Sequence, residues 1–378
     1  MTTEPTARLA DLRPNGPDEM GRELAEGPAA VEATLAVVER LRPQLREVRR
    51  AASRTVLVGT GASLAMAQTA APLFRATETA AGAPGGRARP VVVLEGSSIV
   101  LAPRGEERFE PGDLAVVVSQ SGASPETLAA ARLARAAGST VLAVTADTSS
   151  PLAAASNLVI HTPSGPEAGA ATKSELAALA ALAAFAGALA FDRAAAGRLR
   201  TALEAIVTDT ATVESGGLAL ARAAHTWAVG FGSAAGLARG AALLLHEKAL
   251  LVTVSGTPSE FRHGPIEAAG PGDAVLLVET DPPDPRRAAY LARLAGELAE
   301  LGVPLVAVGR SPLPPGPLAI PVPEPPAAGA GDQAAGAVLL HTLLRIQQLA
   351  RLAAHARGTY RDGFRVLRSI VGAARDLG

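Results

Sequence analysis

The chain has 378 residues, a net charge of −1 and no cysteine, and 48% of its residues are hydrophobic but only 3% aromatic. It is long enough for two domains with cores built from Ala, Val and Leu, whereas disulfides, thiolate metal sites and a cysteine nucleophile are excluded. The sequence has no basic run that would suggest a nucleic-acid partner. Residues 1–17 lack the apolar core of a signal peptide, and no segment has the roughly 20 apolar residues of a membrane span. We therefore expect a soluble, cytoplasmic protein.

The first half of the chain alternates apolar strands with helical segments. After a lead-in, residues 18–50 have helical spacing with a break near Gly27-Pro28. The predicted strands are 55–61, 90–94, 114–118, 140–146 and 157–162. Helices are predicted at 64–75 and 125–137, and a long Ala/Leu helix starts near Thr172. This order of elements predicts a parallel, doubly wound sheet with helices on both faces.

A helical connection over residues 192–224 leads to a second copy of the same order of elements. Its predicted strands 227–232, 273–279, 303–309 and 318–322 match 55–61, 113–119, 140–146 and 157–162 of the first copy. We therefore predict an α/β protein with two tandem doubly wound parallel-sheet domains related by pseudo-twofold symmetry. The predicted segments are lead-in helices (1–50), a first domain (51–195), a second domain (196–355) and a C-terminal tail (356–378).

A hydroxyl-rich turn, Ser119-Gln120-Ser121-Gly122-Ala123-Ser124, lies between a buried strand and a helix. Ser124 is predicted as the N-cap of that helix, and Pro125 as its first residue. Backbone N–H groups and the positive end of a helix dipole then meet serine hydroxyls, which suits a phosphate monoester. The matching turn of the second copy contains Glu279 and Asp281, whose carboxylates repel phosphate, so only the first copy is predicted to bind it.

Five motifs together resemble the tandem sugar isomerase (SIS) domain family. They are Gly59-Thr60-Gly61-Ala62-Ser63, Ser119-Gln120-Ser121-Gly122, the stretch Glu167 to Lys173, His246-Glu247-Lys248, and Phe261-Arg262-His263-Gly264-Pro265. The resemblance runs from about residue 18 to the C-terminus and includes the isomerase half of glutamine:fructose-6-phosphate aminotransferase and stand-alone phosphosugar isomerases and glucosamine-6-phosphate deaminases. It implies a homodimer whose subunits share active sites and bind a small sugar phosphate.

The resemblance also implies roles for individual residues. Glu247 moves a proton between C1 and C2 of the sugar, and His263 assists ring opening from the partner subunit. The candidates for binding the substrate and its phosphate are Gly61, Ser63, Ser119, Gln120, Ser121, Ser124, Thr172, Lys173 and Arg368. Lys173, at the start of a helix, either holds an acidic neighbour or helps to orient the Ser121 turn. Segments 95–101 and 254–261 are expected to be loops that set sugar specificity.

The chemistry independently suits these residue types. One carboxylate can take a proton from one carbon and return it to the next, and a histidine can give and accept a proton near neutral pH. This chemistry needs no metal, and no cluster of residues has metal-ligand spacing, so we expect no cofactor. Only two of the 35 basic residues are lysines, Lys173 and Lys248, and both lie within the motifs.

The chain departs from the family at three places. It has neither a glutaminase domain nor any cysteine, Leu244 replaces a lysine one turn before Glu247, and Arg368 or Ser369 stands where a C-terminal lysine is expected. An arginine cannot form an imine or shuttle a proton at neutral pH. The leading hypothesis is a hexose or amino-hexose 6-phosphate isomerase or deaminase. The alternative is a non-catalytic phosphosugar sensor, which the missing lysines favour and the absence of a DNA-binding unit disfavours.

Overall fold

The computed structural model of the chain describes residues 18–80, 88–101, 108–310, 312–314, 318–325 and 333–366. It contains two five-stranded sheets in which every neighbouring pair of strands is parallel. The strands of the first sheet, in chain order, are β1 (Arg54–Gly59), β2 (Val91–Glu95), β3 (Asp113–Val118), β4 (Thr140–Thr145) and β5 (Leu158–His161). The strands of the second are β6 (His225–Gly230), β7 (Val252–Gly256), β8 (Ala274–Glu279), β9 (Leu305–Gly309) and β10 (Leu318–Pro321).

Twelve α-helices in the described residues surround the sheets. Those preceding or accompanying the first sheet are α1 (Glu19–Ala51), α2 (Ala62–Ala80), α3 (Gly96–Leu101), α4 (Pro125–Ala136), α5 (Pro151–Ala155) and α6 (Lys173–Ala186). The remainder are α7 (Arg193–Thr208), α8 (Glu214–Arg222), α9 (Ser233–Leu244), α10 (Pro258–Arg262), α11 (Pro285–Glu300) and α12 (Gln333–Ala356). The prediction of an α/β fold with parallel, doubly wound sheets is confirmed.

The two sheets repeat one topology. The strand order is β2-β1-β3-β4-β5 in the first sheet and, read from the other end, β7-β6-β8-β9-β10 in the second. The first strand of each copy therefore lies between the second and the third, and the four predicted matches between the halves all hold. The boundaries at 51, 196 and 356 stay predictions, although each sheet lies within one predicted domain.

Two segments predicted as loops contain regular structure. Residues 95–101 include α3, and residues 254–261 include the end of β7 and most of α10, so the second copy repeats the strand and short helix of the first. The sequence did not predict β7, because β7 is an edge strand whose apolar side chains point to the surface while a polar one points to the core. Thr253 faces inward, whereas Val252 and Val254 are 59% and 55% exposed. An alternating pattern identifies the buried face of a strand only when the apolar side chains point to the core.

The predicted break near Gly27-Pro28 is wrong, because α1 continues through Pro28 and Pro43. Each proline removes one backbone hydrogen bond, and burial of the helix against α6 compensates for the loss at Pro28. A Cβ on Gly27 would stand 3.1 Å from Leu176 Cδ2, so the glycine lets the two helices approach closely. Tertiary packing here overrides local propensity.

One large core joins the two halves of the molecule. It includes side chains of both sheets and of α1, α2, α6, α9 and α12, and α6 is buried along almost its whole length. The Ala/Leu segment was predicted as a buried helix of this kind, and that interpretation is correct. Among the described residues, no helix is both long enough and apolar enough to cross a membrane.

Candidate active site

The hydroxyl-rich turn follows β3 at the carboxyl edge of the first sheet. Ser119 is buried, and its Oγ lies 3.4 Å from Ser124 Oγ. Gly122 has a φ of 59°, and a Cβ there would stand 2.9 Å from Thr145 Oγ1, so glycine is required for this turn. Ser121 Oγ accepts a hydrogen bond from the N–H of Ala123 at 3.3 Å. The turn is therefore closed by its own backbone, with its hydroxyls gathered at the start of α4.

Ser124 occupies the predicted N-cap position, and Pro125 is the first helical residue. The side chain of Ser124 does not cap the helix, however, because its hydroxyl lies against Ser119 instead. The first amides of an α-helix have no partner within the helix. These amides, the helix dipole and two neighbouring hydroxyls provide the donors that a phosphate group needs.

The Gly59–Ser63 turn follows β1, which pairs directly with β3. Gly61 has a φ of 56°. The hydroxyl of Thr60 donates to Glu95 Oε1 at 3.1 Å, and Glu95 also accepts hydrogen bonds from Ser97 and Ser98. Burial acts to raise the pKa of Glu95, but the hydrogen bonds from Ser97, Ser98 and Thr60 together lower it. A negative charge is therefore favoured at Glu95, beside this turn.

Thr172 and Lys173 stand at the start of α6 and contact α1. The hydroxyl of Thr172 lies 2.8 Å from Glu23 Oε2 and 3.0 Å from Glu167 Oε1. The backbone N–H of Ser174 donates to Glu167 Oε1 at 2.9 Å, so a carboxylate of the chain already occupies this helix N-terminus. Lys173 forms an ion pair with Glu26. Of the two roles predicted for Lys173, the structure provides the acidic neighbour.

Glu247 lies where α9 gives way to a π-helical turn, Leu245–Ala249. The turn ends at Leu250, whose φ of 47° is the one positive value among the non-glycine residues described. Turns of this kind insert one extra residue into a helix and are frequent at functional sites. Burial raises the pKa of Glu247 to about 7, although the neighbouring charge of Lys248 acts to lower it. The carboxyl group therefore changes between its acid and base forms near neutral pH.

The helix that leads to Glu247, α9, packs closely against α2 of the first half of the chain. A Cβ on Gly236 of α9 would stand 2.7 Å from Thr69 Cα of α2, so only glycine allows this approach. One turn before Glu247, Leu243 Cδ2 would lie 3.9 Å from a Cβ on Gly61. The last turn of α9, which leads into the π-helical turn, therefore lies beside the Gly59–Ser63 turn.

Glu175, which the sequence analysis did not select, is a second buried carboxyl group near Glu247. It lies on α6 and accepts a hydrogen bond from Gln347 Nε2 of α12 at 3.3 Å. Burial, and then the charges of Glu167 and Glu247, raise the pKa of Glu175 well above its ordinary value. Its only signal in the sequence is one acidic residue within an Ala/Leu helix. Burial therefore favours the protonated form of this carboxyl group.

Two predicted site residues are not brought to Glu247. His263 follows α10 and is exposed, and within the described part of the chain no hydrogen bond or ion pair joins it to Glu247. His263 follows the edge strand on which Val252 and Val254 are exposed. Arg368 lies outside the described residues.

The corresponding turn of the second copy has the opposite chemistry. Arg287 Nε lies 3.0 Å from Glu279 Oε2, and Arg287 Nη1 lies 3.5 Å from Asp281 Oδ2. A guanidinium group of the chain thus pairs with the two carboxylates that replace the serines. That only the first copy binds phosphate stays a prediction.

Comparisons with known proteins identify the SIS domain family, which the sequence motifs also resemble. Residues 91–188 match the model of the SIS domain. Glutamine–fructose-6-phosphate aminotransferase [isomerizing] of Pyrobaculum aerophilum is 30% identical over 279 residues, which are 70% of this chain and 44% of that relative. The corresponding enzyme of Sulfurisphaera tokodaii is 27% identical over 272 residues. The chain therefore spans less than half the length of the curated relatives that it matches.

Solved structures share the fold over nearly the whole chain. The C-terminal domain of glucosamine-fructose-6-phosphate aminotransferase from Francisella tularensis has a TM-score of 0.73 at 20% identity, covering 93% of this chain and 99% of that one. A putative phosphosugar isomerase from Silicibacter pomeroyi has a TM-score of 0.70 at 26% identity, covering 90% and 98%. Tagatose-6-phosphate ketose/aldose isomerase from Escherichia coli has a TM-score of 0.71 at 21% identity, covering 89% and 92%.

Proposed function

Because the chain belongs to the SIS domain family, we propose that it is an enzyme that moves a proton between C1 and C2 of a hexose or amino-hexose 6-phosphate. The observation that carries this proposal is Glu247, a partly buried carboxyl group in a π-helical turn, whose pKa is raised to about 7. A base with that pKa is present in both protonation states at neutral pH. It can therefore accept a proton from one carbon and return it to the next.

The proposed reaction begins with the open-chain sugar. The Glu247 carboxylate takes the proton from C2 of the aldose and leaves an enediolate. The proton of the O2 hydroxyl moves to O1, and the same carboxyl group returns its proton to C1 to give the ketose. With an amino group at C2, the product of this transfer is an imine at C2, which water hydrolyses to the ketose and ammonia. His263 supplies the proton transfer that opens the ring.

The phosphate is proposed to bind at the Ser119–Ser124 turn and the start of α4. Ser119, Gln120, Ser121 and Ser124 are the candidates there, with Gly61 and Ser63 on the neighbouring turn. Binding energy from this remote group orients C1 and C2 at Glu247. The fixed charge of Glu95 favours the Ser119 side of the site.

We propose a homodimer in which His263 of one subunit completes the site of the other. The exposed histidine and the exposed valines of β7 support this arrangement, because the edge strand leaves an apolar surface to be covered. The dimer explains why one chain alone does not bring His263 to Glu247.

The second candidate function is a phosphosugar-binding protein without turnover. The observation that favours it is Leu244, which is buried where the family carries a lysine. Such a protein keeps the phosphate turn but does not need Glu247 as a base. The Glu247→Gln variant separates the two functions, since a binding protein retains its ligand response and an enzyme loses turnover.

The test is proton NMR in D2O with glucosamine, glucose, fructose and fructosamine 6-phosphates, combined with an ammonia assay. Exchange of the C1 or C2 proton with ammonia release identifies a deaminase or deglycase, and exchange without ammonia identifies an isomerase. If no sugar exchanges but one raises the melting temperature, the protein is a binding protein and the enzymatic proposal fails.

A further inference from the structure

Both lysines of this arginine-rich chain are almost fully buried. Lys173 is 4% exposed and has a carboxylate partner in Glu26, whereas Lys248 is 3% exposed. Within the described residues no carboxylate lies in ion-pair contact with Lys248. Its Nζ donates to the backbone carbonyls of Arg361 at 3.1 Å and Gly363 at 3.3 Å. A buried ammonium without a contacting carboxylate is costly, so this position serves a purpose other than stability.

The surroundings of Lys248 accept only a compact cation. Its Nζ lies 2.8 Å from the place where a Cβ on Gly169 would stand, and that same point is 3.1 Å from Gly363 Cα. The ring of Tyr360 lies 5.5 Å from Nζ. A planar guanidinium is larger and requires more acceptors than two carbonyls supply. This difference explains a lysine in a chain that otherwise uses arginine.

Three segments of the chain meet at the Lys248 ammonium. They are the π-helical turn with Glu247, the stretch Glu167–Thr172 before α6, and the C-terminal segment 359–363. The hydroxyl of Thr359 donates to the Lys248 carbonyl at 3.1 Å, so the contact is made by backbone and side chain together. Further along, Asp362 accepts hydrogen bonds from the N–H of Glu19 at 3.2 Å and from Tyr360 at 3.0 Å.

We propose that Lys248 is a positioning residue for Glu247: its ammonium clamps residues 361–363 against Gly169 and thereby fixes the π-helical turn that carries the catalytic carboxylate. This inference rests on the proposed function of Glu247. The clamp keeps the C-terminal segment closed beside the carboxyl group and excludes water there.

The charges of Lys248 and Glu247 affect each other's pKa. The acidic groups that face Lys248 are Glu23 and Glu19 of α1, Asp362 of the C-terminal segment, and Glu247 itself. Burial lowers the pKa of Lys248, while these four carboxylates act to raise it. In the other direction, the Lys248 charge lowers the pKa of Glu247 against the effect of burial. Removing the ammonium therefore moves the pKa of Glu247 upward.

The test uses Lys248→Met, which keeps the length of the side chain and removes its charge, and Gly169→Ala, which keeps the lysine but places a methyl group against it. Arg200→Met is the control, because it removes a cation from the exposed ion pairs with Glu32 and Glu204. Hydrogen–deuterium exchange of the amides at 361–366 is measured by mass spectrometry. Both test variants are expected to speed this exchange at least tenfold, and the control is expected to leave it unchanged.

The second readout is the pH profile of kcat and KM on whichever sugar phosphate the NMR test identifies. In Lys248→Met we expect kcat to fall roughly 10- to 100-fold, KM to change little, and the ascending limb of kcat/KM to move to higher pH. Unchanged exchange in both test variants overturns the clamp, as does a wild-type pH profile in Lys248→Met. If the wild-type protein turns over no sugar, the proposed function fails, and the exchange experiment still decides whether Lys248 holds the C-terminal segment.

Discussion

Glu247 ties the stability of the protein to the same ionisation that its proposed catalysis needs. Its pKa is raised to about 7 from an ordinary value of 4.5. Between these values the native state holds a proton that the unfolded chain has lost, so the free energy of unfolding falls as pH rises from about 4.5 to about 7. The full cost of the buried charge above pH 7 is at most about 3 kcal/mol.

The Glu247→Gln variant is expected to remove this cost together with turnover. Above pH 7 its free energy of unfolding should exceed that of the wild type by up to about 3 kcal/mol, and the difference should disappear below about pH 4.5. Turnover should fall by about 10²- to 10⁴-fold, because a general base is lost. Urea unfolding at several pH values measures the first effect. A difference between the two proteins that does not vary with pH would show that Glu247 is not buried as a charge.

A substitution at the N-cap of α4 is expected to change the stability of the protein and its affinity for phosphate in opposite directions. Ser124 stands at that position without capping the helix, so Ser124→Asp supplies a carboxylate to the first-turn amides. We expect the free energy of unfolding to rise by about 0.5 to 1 kcal/mol. The same carboxylate occupies the proposed phosphate position, so affinity for a sugar 6-phosphate should fall at least tenfold.

The control for Ser124→Asp is Gln44→Glu, which makes the same change in net charge at an exposed position of α1. Isothermal titration calorimetry with glucosamine 6-phosphate compares the two variants with the wild type, and urea unfolding gives their stabilities. Equal affinity in all three proteins would place the phosphate elsewhere.

The contact between α2 and α9 determines where Glu247 stands. A Cβ on Gly236 meets the backbone of Thr69, whereas Gly197 in α7 has nothing within 4 Å of its Cβ position. Both glycines lie inside helices, where alanine is favoured by about 1 kcal/mol. The two positions therefore give a matched pair in which propensity is equal and packing differs.

We expect Gly197→Ala to stabilise the protein by about 0.5 to 1 kcal/mol and to leave turnover unchanged. Gly236→Ala should destabilise it by about 1 to 3 kcal/mol, because the added methyl group forces α2 and α9 apart. Since α9 carries Glu247, turnover should fall as well. Urea unfolding and the NMR exchange assay measure these effects, and similar stabilities for the two variants would contradict the close packing described above.

Most of the fold followed from local patterns in the sequence, but the details of the site did not. The apolar runs of β1, β3 and β4 are continuous, as expected for strands buried on both faces, and their repetition identified the second domain. The strand β7 was not predicted, because its valines are exposed and its hydrophobic pattern therefore does not indicate the buried face. Edge strands of this kind are recognised only once their neighbours are known.

Contacts between distant parts of the sequence account for what was missed at the site. The turn after β1 was predicted to bind phosphate through Gly61 and Ser63. The hydroxyl of Thr60 in the same turn, however, already donates a hydrogen bond to Glu95, which lies far along the chain. Likewise the π-helical turn and the burial of Glu175 depend on how α6, α9 and α12 pack together. A motif gives the residue types, and only the tertiary structure shows which hydrogen bonds remain for a ligand.

At the scale of the whole molecule, the two domains present different chemical groups at equivalent positions. The first domain offers hydroxyls and amides to an anion, and the equivalent turn of the second is filled by Arg287 with its carboxylates. The second half instead extends α9, which packs on α2, into the π-helical turn that contains Glu247. Within the described residues, one chain therefore contains one proposed phosphate turn and one proposed base, and His263 is exposed.

This arrangement predicts complementation between two inactive variants. Glu247→Gln and His263→Ala are each expected to lose turnover. If the active site is shared, a mixed dimer of the two has one site with both substitutions and one with neither. Equal amounts of the two chains, unfolded and refolded together, form mixed dimers in half of the population, so about a quarter of wild-type activity should return.

The controls are each variant refolded alone and the two variants mixed without unfolding, which should all stay inactive if subunits do not exchange. Analytical ultracentrifugation establishes that the refolded material is dimeric. Recovery near a quarter supports a site built from two subunits. No recovery from a properly dimeric mixture would mean that His263 serves the Glu247 of its own chain, whereas full activity of His263→Ala refolded alone would mean that His263 has no part in turnover.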